Sequence, residues 1–595
     1  MNIEKKSNWL RRVMCLALVL VMMLSLVACG EPTPTTEPSQ SMQGPTTAPT
    51  AAPTQPTEPP TEPTEPPTEP TEPPTEPTEP PTEPTEPPTE PTEPPVDPNA
   101  LVYELTQEDV DAYYALLTQC EELAMVGEDM DAIDAAFEEL DVLYEFIGTQ
   151  YSISMILHYS DTKDAELEEQ YRTTMETYLD ANEAYIFSCR DIYLSDSPAK
   201  EELFADWTEA DIAYLLSYDE ELTALRQRNQ EIEIEYNAAT GDSVKIPLYI
   251  ELVQNNNKIA QFYGYDNYYE YAYELVYERD YSPEDLAVMR EYGKSYLFDC
   301  LVDSYKNYYS TLGALKNNKK SKVNAFLSYD YNKVSPNYVK RYLEVVPESL
   351  RNHTNEMLTA NSLFATSPNA MPGAFTTMVG DRSYCFYGPG YKSCNTIIHE
   401  AGHYYASRYM DLGSIPMDLA ETHSQGNEWL FIVSIEDDMD AEMYEAVVNY
   451  NIYNNMWIIM ASMMVDEFEE VVYTTDISNY TAEDFNAIMN SVCEQYGAMT
   501  EVRQYLTNMN TYWRAVVVDQ PVYYISYGVS AIAAMDLYTL AREDFDAAMA
   551  VYQNLCEHPQ EELGFLGNLE AAGLRGPFDE SFYIDLIEII KERTK

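Results

Sequence analysis

The sequence predicts a mainly α-helical protein, and three observations support that prediction. Apolar residues recur at three- and four-residue spacing through long segments that contain few Gly or Pro residues. Several of these segments are preceded by a hydroxyl residue followed by acidic residues, which is the usual start of a helix. An irregular exception, residues 366–393, has four glycines and little helical spacing. We expect a small sheet there.

The segment 1–29 is typical of a bacterial secretion signal. Basic residues precede an apolar stretch at 13–27 that is too short for a comfortable membrane span. The run LVACG at 26–30 is similar to a lipobox, so cleavage would leave Cys29 at the mature N-terminus with a lipid anchor. A plain signal peptide with an incidental cysteine is the alternative. We therefore expect a lipoprotein signal peptide, and a protein tethered by Cys29 to the outer face of the cytoplasmic membrane.

Residues 30–98 consist mainly of Pro, Thr and Glu, and the unit PPTEPTE recurs in them from residue 57 onward. Such a segment cannot bury a core, because it has almost no apolar side chains and its prolines fix the backbone near polyproline II. At about 3.1 Å per residue, it would reach on the order of 200 Å if fully extended. We predict a disordered stalk that lifts the rest of the chain away from the membrane. A ligand for proline-recognition modules is the less favoured alternative.

The remaining residues, 99–595, are numerous and apolar enough to bury a large core. Thr106, Ser282 and Thr481 each stand before acidic residues, and we expect them to cap helices. Helical spacing is strongest in the segments 109–126, 130–147, 164–194, 208–236 and 441–472.

The charge of the chain argues against nucleic acid as a partner. The formal net charge is −67, and the 14 acidic residues of the stalk are a minor part of it, so the region that follows is itself very acidic. Cysteines beyond Cys15 and Cys29 are scattered without paired spacing, which predicts buried thiols and not a disulfide framework. Cys385 and Cys394 are the one pair near enough in sequence to form a bridge.

The run TIIHEAGHY at 396–404 contains the pattern His-Glu-x-x-His inside an apolar stretch that predicts a helix. Residues four apart lie on one face of a helix, so His399 and His403 can present two imidazole nitrogens to one zinc ion. Glu400 would lie beside them as a base. The alternative is a pair of helix-surface histidines flanking a glutamate.

A catalytic zinc usually takes three protein ligands, so a third is expected downstream. Glu421 is the candidate, because helical spacing resumes just before it. Glu428 lies two turns further along the same face, where it could hold a ligating histidine by a hydrogen bond. His423 points to the opposite side and is a poor ligand if Glu421 is one. Asp411 and Asp418 are weaker substitutes, and a solvated acidic face is the alternative for both glutamates.

These segments resemble the zinc-binding motifs of the M3 metallopeptidases, the group of thimet oligopeptidase and oligoendopeptidase F. The run HEAGH at 399–403 matches the family's HExGH pattern, and ETHSQGNE at 421–428 matches its E-x-x-S-x-x-x-E pattern. PVYYISY at 521–527 is similar to the family's P-F-Y-Y-I-D-Y stretch, in which two tyrosines three apart face the metal and stabilise the transition-state oxyanion. The resemblance implies that role for Tyr524 and Tyr527.

Two further comparisons with the family concern the transition state and the substrate. The family usually has a histidine several residues before the tyrosine pair, and Val516 occupies the matching position here. One polar contact to the transition state would then be absent, and the loss of such a donor commonly lowers the rate about 100- to 1000-fold. Upstream, PGAF at 372–375 weakly resembles the family's Gly-Ala-Tyr segment, near the edge strand that pairs with the substrate backbone.

The resemblance implies a mainly helical, two-lobed metallopeptidase of the zincin type, with a deep cleft and a small β-sheet next to the HExxH helix. Residues 99–360 would form a helical N-terminal lobe, and residues 361–595 the catalytic lobe. Glu400 would take a proton from a zinc-bound water that attacks the peptide. One Zn2+ per chain would be held by His399, His403 and Glu421.

The predicted function is hydrolysis of short oligopeptides outside the cell by a monomeric zinc metalloendopeptidase. A deep cleft would restrict its substrates to short, unfolded peptides. The alternative, prompted by Val516, is a lipoprotein on the same fold that binds peptides and cleaves them slowly or not at all. A purely structural wall protein would not need a metal triad.

Overall fold

α-Helices make up most of the structure, a computed structural model, and confirm the predicted fold class. The predicted signal peptide and stalk, 1–29 and 30–98, lie outside the described residues. Among the residues described, no helix is both long and apolar enough to cross a membrane. The structure describes residues 101–593 except 206, 208–211, 213–214, 217–219, 335–336, 411–414, 498–504 and 507.

The first three long helices pack on one another around a shared apolar core. They are α1 (Gln107–Val126), α2 (Met130–Ser160) and α3 (Ala165–Leu194). Thr106 caps α1 as predicted. Its hydroxyl accepts a hydrogen bond from the backbone N–H of Asp109, whose carboxylate accepts one from the N–H of Thr106. Buried side chains such as Tyr113, Leu140 and Ile186 fill the core between the helices.

Mostly shorter helices follow, and the chain forms wider π-helical turns at Ala272–Val276 and Gly293–Leu297. Ser282 caps helix α8 (Pro283–Tyr292) through the same reciprocal arrangement with Asp285. The predicted helix 208–236 lies partly outside the described residues, and helix α5 (Glu220–Ala238) covers its C-terminal part. The helices are α4 (Lys200–Leu203), α5 (Glu220–Ala238), α6 (Asp242–Phe262), α7 (Tyr268–Tyr271), α8 (Pro283–Tyr292), α9 (Phe298–Ala314), α10 (Asn317–Ser328), α11 (Tyr338–Val345) and α12 (Glu348–Ala360).

A three-stranded sheet forms in and just before the glycine-rich stretch, where the sequence predicts one. Its strands are β1 (Ser362–Phe364), β2 (Ala374–Val379) and β3 (Arg382–Tyr387). β3 lies in the centre, parallel to β1 and antiparallel to β2. In register, Ala374 lies opposite Tyr387. Among the described strands, β2 is therefore at the edge of the sheet.

The C-terminal part of the described chain is again helical. Its helices are α13 (Cys394–Ala406), α14 (Met417–Ser434), α15 (Ala441–Tyr473), α16 (Ala482–Gln495), α17 (Met509–Val516), α18 (Ile525–Glu543), α19 (Phe545–Glu557), α20 (Gly564–Ala572) and α21 (Glu580–Arg593). Thr481 caps α16 in the predicted way. α14 lies against α13, α18 and α19. Every residue from 417 to 432 is buried, so α14 places polar side chains in the interior.

The cysteines follow the prediction of buried thiols. Those that the structure describes are buried and form no disulfide with one another, Cys385 and Cys394 included. Burial raises the pKa of the Cys120 and Cys189 thiols to about 12. They therefore stay protonated at neutral pH and pack as small apolar side chains.

Candidate functional site

Helix α13 carries the His-Glu-x-x-His pattern and begins at a capped end. The Ser393 hydroxyl accepts a hydrogen bond from the backbone N–H of Thr396 at 3.2 Å. His399 and His403 lie one turn apart, with ring centroids separated by 5.0 Å. His403 and Glu400 are buried, and His399 is partly buried. The helix therefore presents two imidazoles and one carboxylate to the interior.

The glycine between the histidines lets helix α14 come into contact with α13. A Cβ atom on Gly402 would lie 2.6 Å from the carbonyl oxygen of His423 and 2.7 Å from the Cα of Ser424. The Asn427 side-chain amide donates to the carbonyl of Ile398 at 2.7 Å and ties the two helices together. This close crossing brings the middle of α14 to the two histidines.

His399, His403 and Glu421 form one cluster. Glu421 Oε2 lies 3.8 Å from Nε2 of His399 and 4.0 Å from Nε2 of His403. One ligand atom from each of the three residues falls within 4.8 Å of the others. Ligand atoms about 2.1 Å from a tetrahedral zinc would be about 3.4 Å apart, so the cluster is close to the size of a zinc site.

The donor set and its burial fit a metal of the zinc type. Nε2 of His403 is buried and has no hydrogen-bond partner among the described residues. Burial, with His399 and His423 nearby, holds the pKa of His403 well below its usual range, so its imidazole is in the neutral form that binds metals. Two imidazoles and one carboxylate are a ligand set that catalytic zinc uses. The cluster can therefore hold zinc.

Glu428 contacts the outer nitrogen of His399. Its Oε1 lies 2.7 Å from Nδ1 of the imidazole. A carboxylate accepts hydrogen bonds, so Nδ1 carries the proton and Nε2 presents its lone pair to the cluster. Glu428 thus fixes the ring orientation and the tautomer that metal binding requires.

Glu400 lies beside the cluster in a fully buried position. The hydroxyl of Thr376, on strand β2, donates to its Oε2 at 2.8 Å, whereas Oε1 has no hydrogen-bond partner in the described part of the chain. Burial raises the pKa of the Glu400 carboxyl to about 7, against the opposing effects of His399 and Thr376. Such a carboxyl can accept a proton and return it near neutral pH.

Two other residues considered as ligands, His423 and Asp418, are not part of the metal-sized group. His423 is buried on α14, and burial lowers its pKa to about 4. Asp418 forms an ion pair with Arg279 at 3.8 Å. Asp411 lies outside the described residues. Of the carboxylates that the structure describes, Glu421 is the one that joins both histidines in a metal-sized group.

The predicted tyrosine pair lies at the start of helix α18. The rings of Tyr524 and Tyr527 meet edge to face, with centroids 5.5 Å apart. The hydroxyl oxygens of Tyr512 and Tyr524 are 2.8 Å apart and share a hydrogen bond. Val516 ends α17, one turn after Tyr512 and on the same face. A hydroxyl therefore stands one turn away from the position where the resemblance would place a histidine.

Three polar residues of the candidate site are not predicted by the sequence. The Tyr523 hydroxyl donates to Oε1 of Glu421 at 3.1 Å, across 102 residues of sequence. The sequence shows two adjacent tyrosines at 523–524, but the resemblance implies a role only for the second. The three residues are Thr376, Tyr512 and Tyr523.

The fold and the cluster define a class of protein. It is a mainly helical chain in which a HExxH helix and the helix that follows bring two histidines and a glutamate together. The sequence itself matches no protein-family model and no curated protein.

Solved structures with this fold are described as peptidases. A candidate oligoendopeptidase F from Bacillus anthracis str. Ames has a TM-score of 0.62 at 18% identity, over 83% of this chain and 98% of its own. PZ peptidase A with inhibitor 2 has a TM-score of 0.63 at 17% identity, over 83% of this chain and 99% of its own. A second candidate oligoendopeptidase F has a TM-score of 0.63 at 17% identity, over 83% of this chain and 98% of its own. The chain thus has the oligoendopeptidase F fold.

Proposed function

We propose that the chain is a zinc-dependent metalloendopeptidase that hydrolyses short peptides. The observation that supports this most is the cluster of His399, His403 and Glu421 with Glu400 beside it. The fold adds support, because similar structures are described as peptidases. A bound zinc would supply Lewis acidity, which polarises a carbonyl group and lowers the pKa of water.

Glu400 is the proton carrier of the proposed reaction. Its Oε1 takes a proton from the attacking water and passes it to the amine of the leaving peptide. The 2.8 Å hydrogen bond from Thr376 holds the other carboxylate oxygen and so fixes the plane of the group. Because Thr376 lies on β2, a peptide that pairs with this edge strand would run beside Glu400.

Tyr524 and Tyr527 are the proposed donors to the transition state. Their hydroxyls would stabilise the peptide carbonyl oxygen as it gains negative charge. The hydrogen bond between Tyr512 and Tyr524 supports this role, because it orients the Tyr524 hydroxyl before substrate binds.

The proposed location is the outer face of the cytoplasmic membrane of a bacterium. The sequence supports it through the lipobox-like run that ends at Cys29 and through the stalk at 30–98. Cys29→Ser should release the protein from the membrane fraction in cells. Retention of the variant in that fraction would contradict the lipid anchor.

Hydrolysis of a mixed library of short peptides by the purified protein tests the proposed activity. Glu400→Gln should retain zinc and lose about 100- to 10,000-fold in rate, because an amide cannot take the proton. Glu122→Gln replaces an exposed glutamate of α1 and is the matched control, with wild-type cleavage expected. Zinc is quantified in all three proteins. Full activity of Glu400→Gln would rule out the proposed base.

A second candidate function is peptide binding without turnover, and Val516 is the observation that favours it. In that case the wild type and Glu400→Gln both hold zinc and bind peptides, and neither cleaves them. Absence of zinc from both proteins would contradict the metal site itself.

A further inference from the structure

We propose that Tyr523 is a positioning residue for the metal ligand Glu421, an inference that rests on the metallopeptidase function proposed above. The two oxygens of the Glu421 carboxylate have different neighbours. Oε2 lies 3.8 Å from Nε2 of His399 and 4.0 Å from Nε2 of His403, and it accepts a hydrogen bond from the Ser424 hydroxyl, one turn along the same helix, at 3.3 Å. Oε1 accepts a hydrogen bond from the Tyr523 hydroxyl at 3.1 Å.

Burial makes this hydrogen bond effective. Glu421 is fully buried and Tyr523 is nearly so, so water does not compete for the carboxylate. A donor on Oε1 fixes the rotation of the carboxylate about its last carbon–carbon bond. Oε2 is then held toward the two histidines before a metal arrives. At other metal sites, the replacement of a residue that holds a ligand in this way commonly weakens metal binding by about 10- to 100-fold.

The backbone just before Tyr523 is held in a strained conformation. Val522 has a φ of 66°, which a β-branched residue rarely adopts. Its N–H donates to Oε1 of Glu469 at 2.7 Å, and its carbonyl accepts from Nη2 of Arg279 at 3.0 Å. Glu469 and Arg279 are both buried. Strain of this kind persists only where the surroundings determine it, and it is concentrated at functional sites.

Further hydrogen bonds hold the residues on either side of Val522. The Tyr277 hydroxyl donates to the carbonyl of Pro521 at 2.8 Å. Arg279 also donates to the hydroxyl oxygen of Ser526 at 3.0 Å. The segment 521–526 is thus fixed to side chains more than two hundred residues earlier in the chain. This fixed backbone keeps the Tyr523 hydroxyl at Glu421.

Zinc affinity measured by competition with a chromogenic chelator tests the inference on the full-length protein. Tyr523→Phe should bind zinc about 10- to 100-fold more weakly than the wild type. Tyr113→Phe is the matched control, because it removes another buried hydroxyl, one that donates to the carbonyl of Ala181 in the core between α1 and α3. It should keep wild-type zinc affinity. The absorption spectrum of the Co2+-loaded protein should change in Tyr523→Phe and not in Tyr113→Phe, because ligand geometry sets that spectrum.

The outcomes separate this inference from the proposed function. If the wild type binds zinc and Tyr523→Phe binds it equally well, the inference is overturned and the function is not. If the affinity falls only in proportion to a loss of metal-free stability, with an unchanged Co2+ spectrum, Tyr523 has a structural role alone and the inference is also overturned. A wild-type protein without zinc affinity would overturn the metal site and both proposals with it.

Discussion

Replacing Gly402 with alanine tests whether the close crossing of α13 and α14 builds the metal cluster. The new Cβ would lie 2.7 Å from the Cα of Ser424, whereas carbon atoms pack at about 3.5 Å, so α14 would have to retreat by roughly 0.8 Å. Metal sites tolerate deviations of about 0.2 Å in their ligand distances. Glu421 moves with α14, and we therefore expect Gly402→Ala to weaken zinc binding at least about tenfold.

The free energy of unfolding gives a second, independent test of the close contact between α13 and α14. In an open helical position, Gly to Ala stabilises a protein by about 1 kcal/mol. Overpacking a buried contact costs about 1–3 kcal/mol. A Cβ atom on Gly313 in α9 would meet no described atom within 4 Å beyond the nearby backbone of its own helix, so Gly313→Ala is the matched control. The free energy of unfolding of the two metal-free variants in urea should differ by about 1–3 kcal/mol, with Gly402→Ala the less stable. A Gly402→Ala protein as stable as Gly313→Ala, with wild-type zinc affinity, would refute the reasoning.

Three further changes have definite expected outcomes. Glu428→Gln should weaken zinc binding about 10- to 100-fold in chelator competition, because its carboxylate holds Nδ1 of His399; wild-type affinity would contradict this. Tyr512→Phe should lower kcat/KM for a short peptide about fivefold, the effect of one hydrogen bond, at unchanged zinc affinity; a loss of zinc would be the opposing result. Asp466→Asn should lower the free energy of unfolding in urea by about 1–3 kcal/mol, since buried Arg290 then keeps only its ion pair with Glu470; an unchanged free energy would argue against the pairing of Arg290 with Asp466.

The helices could be predicted from the sequence wherever one face of the helix is apolar and the other polar. α1, α3 and α15 begin and end within two residues of the predicted segments. α2 is the exception, because it continues from the predicted end at 147 to residue 160. Residues 150–156 are all buried, so this part of α2 has no exposed face and its sequence lacks the amphipathic period of a surface helix. Local spacing cannot show a helix whose whole circumference is covered by other elements.

Part of the candidate site can likewise be predicted from local spacing in the sequence, and the rest depends on contacts between distant segments. Helical spacing alone places His399 and His403 on one face of α13. It likewise places Glu421 and Glu428 on one face of α14. The distance between the two helices is set by Gly402, whose small size matters only because α14 crosses there. The contact of Tyr523 with Glu421 depends on the strained backbone at 521–523, which distant buried side chains hold. No pattern within a single segment of the sequence records such contacts.

The structure of α17 shows which polar side chain lies near Val516, the position where the resemblance would place a histidine. Tyr512 precedes Val516 by one turn, so the two side chains share a helix face, and the Tyr512 hydroxyl reaches that of Tyr524. Burial raises the pKa of Tyr512 to about 12, so the phenol keeps its proton at neutral pH and can act as a donor. An imidazole at the matching position would contact the transition state itself, whereas Tyr512 contacts a residue proposed to do so. The polar support of this side of the site is therefore indirect, and its loss should cost far less than the 100- to 1000-fold expected for a direct oxyanion donor.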